Sequence, residues 1–147
     1  MGGMGGLPWL HHGHSATRVV VHMVWATLGR VPWLDETVDA RLAGLVTDKC
    51  RELGCRAIAV GNAGDHVHSV VVLAPTTSVA PLAHCLKGAT SRVLGMQLPE
   101  PFAWQAGYFA ESVADVAAIV RYVREQRAHH REDATPEGWE ALYRPHR

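Results

Sequence analysis

The 147 residues amount to one compact domain, and 48% apolar with 19% charged residues supply a hydrophobic core, which excludes wholesale disorder. Fourteen Lys and Arg balance fourteen Asp and Glu. The general basic excess of a nucleic-acid binder is therefore missing, and any basic face has to be local. Three cysteines, an odd number, exclude a disulfide framework and fit a reducing, cytoplasmic compartment, and no apolar run reaches the length of a membrane span.

Residues 1–15 are rich in glycine, carry His11, His12 and His14, and lack the regions of a signal peptide; they are expected to be a flexible tail. Residues 17–27 (TRVVVHMVWAT) are β-branched and aromatic and predict a buried strand. Over 35–53, Val38, Leu42, Leu45, Val46 and Leu53 recur at helical spacing, and Gly54 stands where a C-terminal cap belongs. Strands follow at 56–60 and 66–73, joined by the turn Asn62-Ala-Gly-Asp65 in an antiparallel pair. A helix over 79–94 has Ser78 as its N-cap, and a fourth strand lies within 102–113. A helix over 114–130 carries the stripe Val116, Ile119, Val120 and Val123, and Thr135-Pro136-Glu137 opens a short final helix. The order β-α-β-β-α-β-α-α predicts an α+β fold: an antiparallel sheet covered by helices, ferredoxin-like or RRM-like. The expected division is a tail over 1–15, a catalytic domain over 16–131 and a C-terminal helical tail over 132–147.

Two short patterns carry chemistry. In Asp65-His-Val-His68 the two histidines of a strand share a face, where two imidazoles can hold a divalent cation with positions left open for substrate. The same pair can also simply satisfy local hydrogen bonds. In Tyr122-Val-Arg-Glu-Gln126 the tyrosine and glutamine lie one turn apart on a helix, so a phenol and an amide oxygen can serve one site. Ordinary packing of Tyr122 and a solvated Gln126 would give the same letters. Together the patterns converge on a phosphodiester held by a cation and attacked in line by Tyr122. The covalent phosphotyrosine would conserve the energy of the broken bond, so no nucleotide cofactor is required.

The chain resembles the single-tyrosine HUH transposases of the insertion-sequence 200/605 type, with the related REP-associated tyrosine transposases. The resemblance runs from about residue 17 to 131. It rests on Val21-His-Met-Val-Trp-Ala26, Asp65-His-Val-His68, Leu86-Lys-Gly-Ala-Thr-Ser-Arg92, Ala103-Trp-Gln-Ala-Gly-Tyr108, Arg121-Tyr-Val-Arg-Glu-Gln126 and His129-His-Arg131. It implies the IS200-like transposase fold, and metal ligation (Mg or Mn) by His66, His68 and Gln126. It also implies Tyr122 as nucleophile, cleavage of single-stranded DNA at hairpin-bearing ends, and a homodimer in which the tyrosine helix can be supplied to the partner across a hinge at 107–114. Tyr108 and Tyr143 are competing phenols, but Ser112 and Arg147 stand four residues after them.

Lys87, Arg92, Arg121, Arg124, Arg127 and Arg131 are candidates for phosphate contact, and each also reads as a solvated surface residue. Trp25 and Trp104 can stack on bases or pack in the core. Cys50 and Cys55 fall short of zinc spacing. Three other functions fit part of the pattern: a domesticated hairpin binder that no longer transposes, a non-catalytic nucleic-acid-binding module, and a metal-dependent phosphoesterase that uses water as nucleophile. An RNA-binding module would carry aromatic motifs where His-Val-His stands, and a phosphoesterase would have no need of Tyr122.

Overall fold

The computed structural model describes residues 6–126. A short hairpin, β1 (Leu10–His12) and β2 (Ser15–Thr17), precedes the main sheet. Its turn uses Gly13 at φ 57°, a left-handed conformation that costs glycine little. The guanidinium of Arg18 lies 4.3 Å over the Trp9 ring, and Leu7 and Leu10 pack at the edge of the core. Residues 10–15, expected in a flexible tail, are therefore strand and turn. Glycine and histidine richness concealed a hairpin whose register is set by its turn.

The main sheet contains β3 (Val19–Ala26), β4 (Arg56–Asn62), β5 (His66–Leu73) and β6 (Phe109–Ser112) in the order β4-β5-β3-β6, antiparallel throughout. With α1 (Asp39–Glu52), α2 (Val79–Gln97) and α3 (Val116–Arg124) this is the ferredoxin-like arrangement expected. All eight residues of the inner strand β5 are buried, because both faces of the sheet are covered. Side chains alternate between faces. Val21, Met23 and Trp25 of β3 and Val67 and Val71 of β5 meet α1 and α2 through Leu42, Val46, Leu82, Leu86 and Leu94. On the opposite face Val20, Val70 and Val72 meet Val116 and Val123 of α3.

The ends of these elements differ in detail from expectation. Residues 36–38 form a 3-10 turn capped by Asp35, whose carboxylate accepts from the Thr37 N–H at 2.9 Å, and the α-helix starts only at Asp39. Gly54, at φ 75°, ends α1 as predicted, with Cys55 N–H donating to the Cys50 carbonyl at 2.8 Å. Ser78 holds the N-cap position of α2, but its side chain makes no capping bond. Asp115 caps α3 by accepting from the Ala118 N–H at 3.1 Å, so that helix begins at Val116 rather than 114. The parts of the expected helices beyond residue 126 lie outside the described residues. No helix among the described residues is long and apolar enough to cross a membrane.

Candidate active site

The histidine pair stands on the α3 face of β5, in line with Val70 and Val72. His66 is 1% and His68 0% exposed, with ring centroids 4.9 Å apart. Each ring is held at Nδ1. His66 Nδ1 lies 2.6 Å from Asp65 Oδ1, and His68 Nδ1 lies 2.9 Å from Nε2 of His22 on β3. A histidine held at Nδ1 coordinates a cation through Nε2.

Asp65 is itself braced. Arg30 donates through Nε to Oδ2 at 2.9 Å and through its terminal nitrogen to Oδ1 at 3.3 Å. Burial pushes the Asp65 pKa up, yet hydrogen bonds from His66 and Arg30 and their charges outweigh it and hold the carboxyl at about 2. Arg30 reaches this position from a left-handed backbone, φ 57°, which is costly for a residue with a Cβ. Asn62 fixes the preceding turn: its Nδ2 donates to Asp39 Oδ1, and its Oδ1 accepts from the Gly64 N–H at 3.1 Å. His22 continues outward to β6, with Nδ1 3.3 Å from Glu111 Oε1. Burial pulls the His22 pKa below 6.5 against the opposing effect of Glu111, which favours a neutral ring near neutral pH.

The third part of the site arrives on α3. Gly61, paired with His68 across the β4–β5 ladder, has Val123 directly above it. A Cβ at position 61 would run into the Val123 carbonyl oxygen and lie 3.4 Å from its Cγ1, so only glycine lets the helix approach this closely. The approach brings the half-buried Tyr122 ring edge-on to His68, with centroids 5.7 Å apart at 80°. One turn later Gln126 is 1% exposed, and its Nε2 donates to the Tyr122 carbonyl at 3.1 Å. Its Oε1 is buried and has no hydrogen-bond partner among the described residues. An acceptor left so costs about 1–3 kcal/mol, which an electropositive ligand would relieve. No group of three His, Cys, Asp or Glu suited to a metal gathers among the described residues. The residues that could hold a cation such as Mg or Mn are the two imidazoles and, from α3, the amide oxygen of Gln126.

The basic candidates do not form one surface. Arg121 and Arg124 are exposed on α3, beside the tyrosine. Lys87 and Arg92 belong to α2, across the sheet. Arg92 is exposed, whereas Lys87 donates to the carbonyl oxygens of Gln105 at 2.6 Å and Gly107 at 2.9 Å and ties down the loop before β6. Partial burial also lowers the Lys87 pKa. Arg127 and Arg131 lie outside the described residues, as does Tyr143. Tyr108 lines a cavity of about 570 Å³ with His84, Lys87 and Trp104, away from the histidine pair. Trp25 is fully buried against Trp104, ring centroids 6.2 Å apart, and Trp104 Nε1 donates to Thr90 Oγ1 at 3.0 Å; both are core residues. Cys50, Cys55 and Cys85 are free thiols. The segment 107–114, expected as a hinge, contains β6 paired to β3.

Sequence reasoning missed His22, Glu111 and Arg30 and gave Asp65 no role. A lone histidine inside the apolar run of β3 was the available signal for the first. The partners of Glu111 and Arg30 depend on strand register and loop closure, which leave no local trace.

The fold has solved counterparts. A protein assigned as a transposase from Deinococcus radiodurans R1 superposes with a TM-score of 0.65 at 22% identity, over 79% of this chain and 96% of the other. A REP-associated tyrosine transposase bound to a REP hairpin gives 0.61 at 14% identity, over 82% of this chain and 73% of the other. No curated protein matches the chain in sequence. The family model of the IS200-like transposases matches residues 15–126, from β2 through α3, and the chain belongs to that family.

Proposed function

We propose that the protein is a tyrosine transposase that cuts and rejoins single-stranded DNA at hairpin-bearing element ends, with Tyr122 as nucleophile and a divalent cation, Mg or Mn, held by His66, His68 and Gln126. The observation that carries this reading is the convergence of β5 and α3 over Gly61. It sets the Tyr122 ring against His68, and Gln126 follows one turn on with a buried amide oxygen in need of a partner.

A cation bound there would neutralise charge on a phosphodiester and hold it for attack. Tyr122 Oη would form the new P–O bond as the bond to the 3′ oxygen breaks. The phenol proton leaves, the released 3′ oxygen takes one up, and the products are a 5′-phosphotyrosine and a free 3′ hydroxyl. Rejoining is the same exchange in reverse, with a 3′ hydroxyl attacking and the phenol released. Asp65 and Arg30 keep the His66 ring in place, and exposed Arg121 and Arg124 are suited to backbone phosphates of the bound strand. Hairpin DNA as substrate is supported by the hairpin-bound structural neighbour. A homodimer is part of the reading. The docking of α3 on its own sheet supports Tyr122 serving the histidines of the same chain.

The test is covalent trapping on single-stranded DNA carrying the gene's own flanking sequence, with Mg or Mn. The expected result is a protein–DNA adduct that survives a denaturing gel and is lost in Tyr122→Phe, in His66→Ala/His68→Ala, and in the presence of chelator. Cleavage that persists in Tyr122→Phe would transfer the chemistry to water or to Tyr108. Hairpin binding without any adduct would leave a domesticated binder.

A further inference from the structure

The geometry points to His22 and Glu111 as positioning residues that fix the tautomer and orientation of His68, so that its Nε2 is presented to a divalent cation. This inference rests on the metal reading above. The rings of His22 and His68 are within 10° of parallel, with centroids 5.2 Å apart, while Nε2 of one is 2.9 Å from Nδ1 of the other. That separation is too wide for face-to-face stacking and suits an N–H···N bond lying in the plane of both rings.

The direction of the bond follows from the chemistry of the chain. A neutral His68 that gives its Nε2 lone pair to a metal must carry its proton on Nδ1. It then donates to His22 Nε2, which must be bare, so the His22 proton sits on Nδ1. There it faces Glu111 Oε1 at 3.3 Å, and a carboxylate can only accept. One carboxylate at the end of the chain therefore sets both tautomers in a single sense, with each proton assigned once. At His66, Nδ1 lies 2.6 Å from Asp65 Oδ1 and 3.2 Å from the terminal nitrogen of Arg30; a proton on Nδ1 serves the shorter contact, to the carboxylate, and gives the second histidine the same outcome.

The two supports differ in exposure. His22 is fully buried, whereas the Glu111 side chain is 46% exposed on the edge strand β6. Water there competes with the terminal acceptor, so the middle ring should matter more than the end of the chain. Outer partners of metal-bound histidines characteristically alter affinity about 10–100-fold when removed.

Two measurements on the full chain test the inference. Long-range proton–nitrogen NMR of metal-free wild type at neutral pH reads the tautomers directly; His68 and His22 should both carry the proton on Nδ1. A proton on Nε2 of His68 overturns the inference without any variant being made. Mn²⁺ titration, followed by the paramagnetic resonance of free Mn²⁺, should show about 10–100-fold weaker binding in His22→Phe and a smaller loss in Glu111→Gln. Thermal unfolding run alongside separates a misfolded His22→Phe from a weakened site, and the exposed Glu111→Gln retains a readout if the buried variant fails to fold. Unchanged Mn²⁺ affinity in both variants, with binding still abolished in His66→Ala/His68→Ala, removes the positioning role and leaves the metal site standing. Wild type that binds no Mn²⁺, or binds it indifferently to the histidine pair, removes the metal site itself.

Discussion

The two faces of the sheet are built from the same two inner strands, and both carry valines, but they differ in what else they bury. Toward α1 and α2, β3 and β5 present Met23, Trp25, Val67 and Val71, an apolar layer closed by leucines. Toward α3, the same strands add His22, His66 and His68, all buried, to Val20, Val70 and Val72, with Asp65 beside His66 and Glu111 beside His22. Burying polar groups costs stability unless they are bonded. The face toward α1 and α2 therefore supplies the larger share of the folding energy, and the other face bears the cost of its buried polar groups. If that division holds, damage to the two faces should separate stability from activity.

The largest stability effect belongs to the helix face. Leu86→Ala removes a fully buried side chain between α2 and the sheet, and about 2–5 kcal/mol should be lost in denaturant unfolding. DNA adduct formation, assayed well below the transition temperature, should stay near wild type. A selective loss of adduct at full folding would mean that the two faces are coupled.

Gly61→Ala breaks the other side. The new methyl has to displace the Val123 carbonyl, and α3 must rise from β4. Overpacking of this kind costs about 1–3 kcal/mol, less than the leucine deletion, yet it should abolish adduct formation by separating Tyr122 from His68. Normal adduct yield in a folded Gly61→Ala chain would show that the docking of α3 in this position is not needed for the chemistry.

What the sequence disclosed follows the same division. The layer under α1 and α2 was legible because it repeats: β-branched runs, leucines at helical spacing, and Gly54 at a helix end where only a left-handed residue fits. His66 with His68 and Tyr122 with Gln126 were legible as pairs, since each pair spans one local repeat of its own element. The parts that join the pairs were not. His22 and His68 are 46 positions apart, His22 and Glu111 are 89 apart, and both bonds depend on the register of β3 with its neighbours. Gly61 looked like any strand residue because its reason is a helix 62 positions later, as the numbering of Val123 shows. Lys87 is only a candidate phosphate contact or a solvated residue in the sequence, because its two carbonyl acceptors belong to a distant loop.

Asp65 sharpens the comparison through pH. Its carboxyl is held at about 2, below the ordinary 3.8, so the folded state binds its proton less readily than the unfolded chain does. The stabilisation is fully present above the ordinary value and disappears as pH falls from about 4 toward about 2. Asp65→Asn should cost about 1 kcal/mol at neutral pH, and its unfolding curve should converge on that of wild type near pH 2. A gap that persists unchanged to pH 2 would assign the loss to packing rather than to the charge on the carboxyl.

The smallest effect tests how dry the helix face is. Burial pushes the Cys50 thiol from 9.0 up to about 12, and the neighbouring Cys55 adds to the rise. Thiolate is the reactive species, and an acid with so high a pKa contributes almost none of it at pH 8. Cys85, which is partly exposed on α2, should therefore be alkylated in the native protein while Cys50 stays unmodified until denaturant is added. Mass spectrometry of timed samples reads both sites at once. Equal labelling would mean that water reaches the layer beneath α1, and the separation of a dry structural face from a chemical one would be lost.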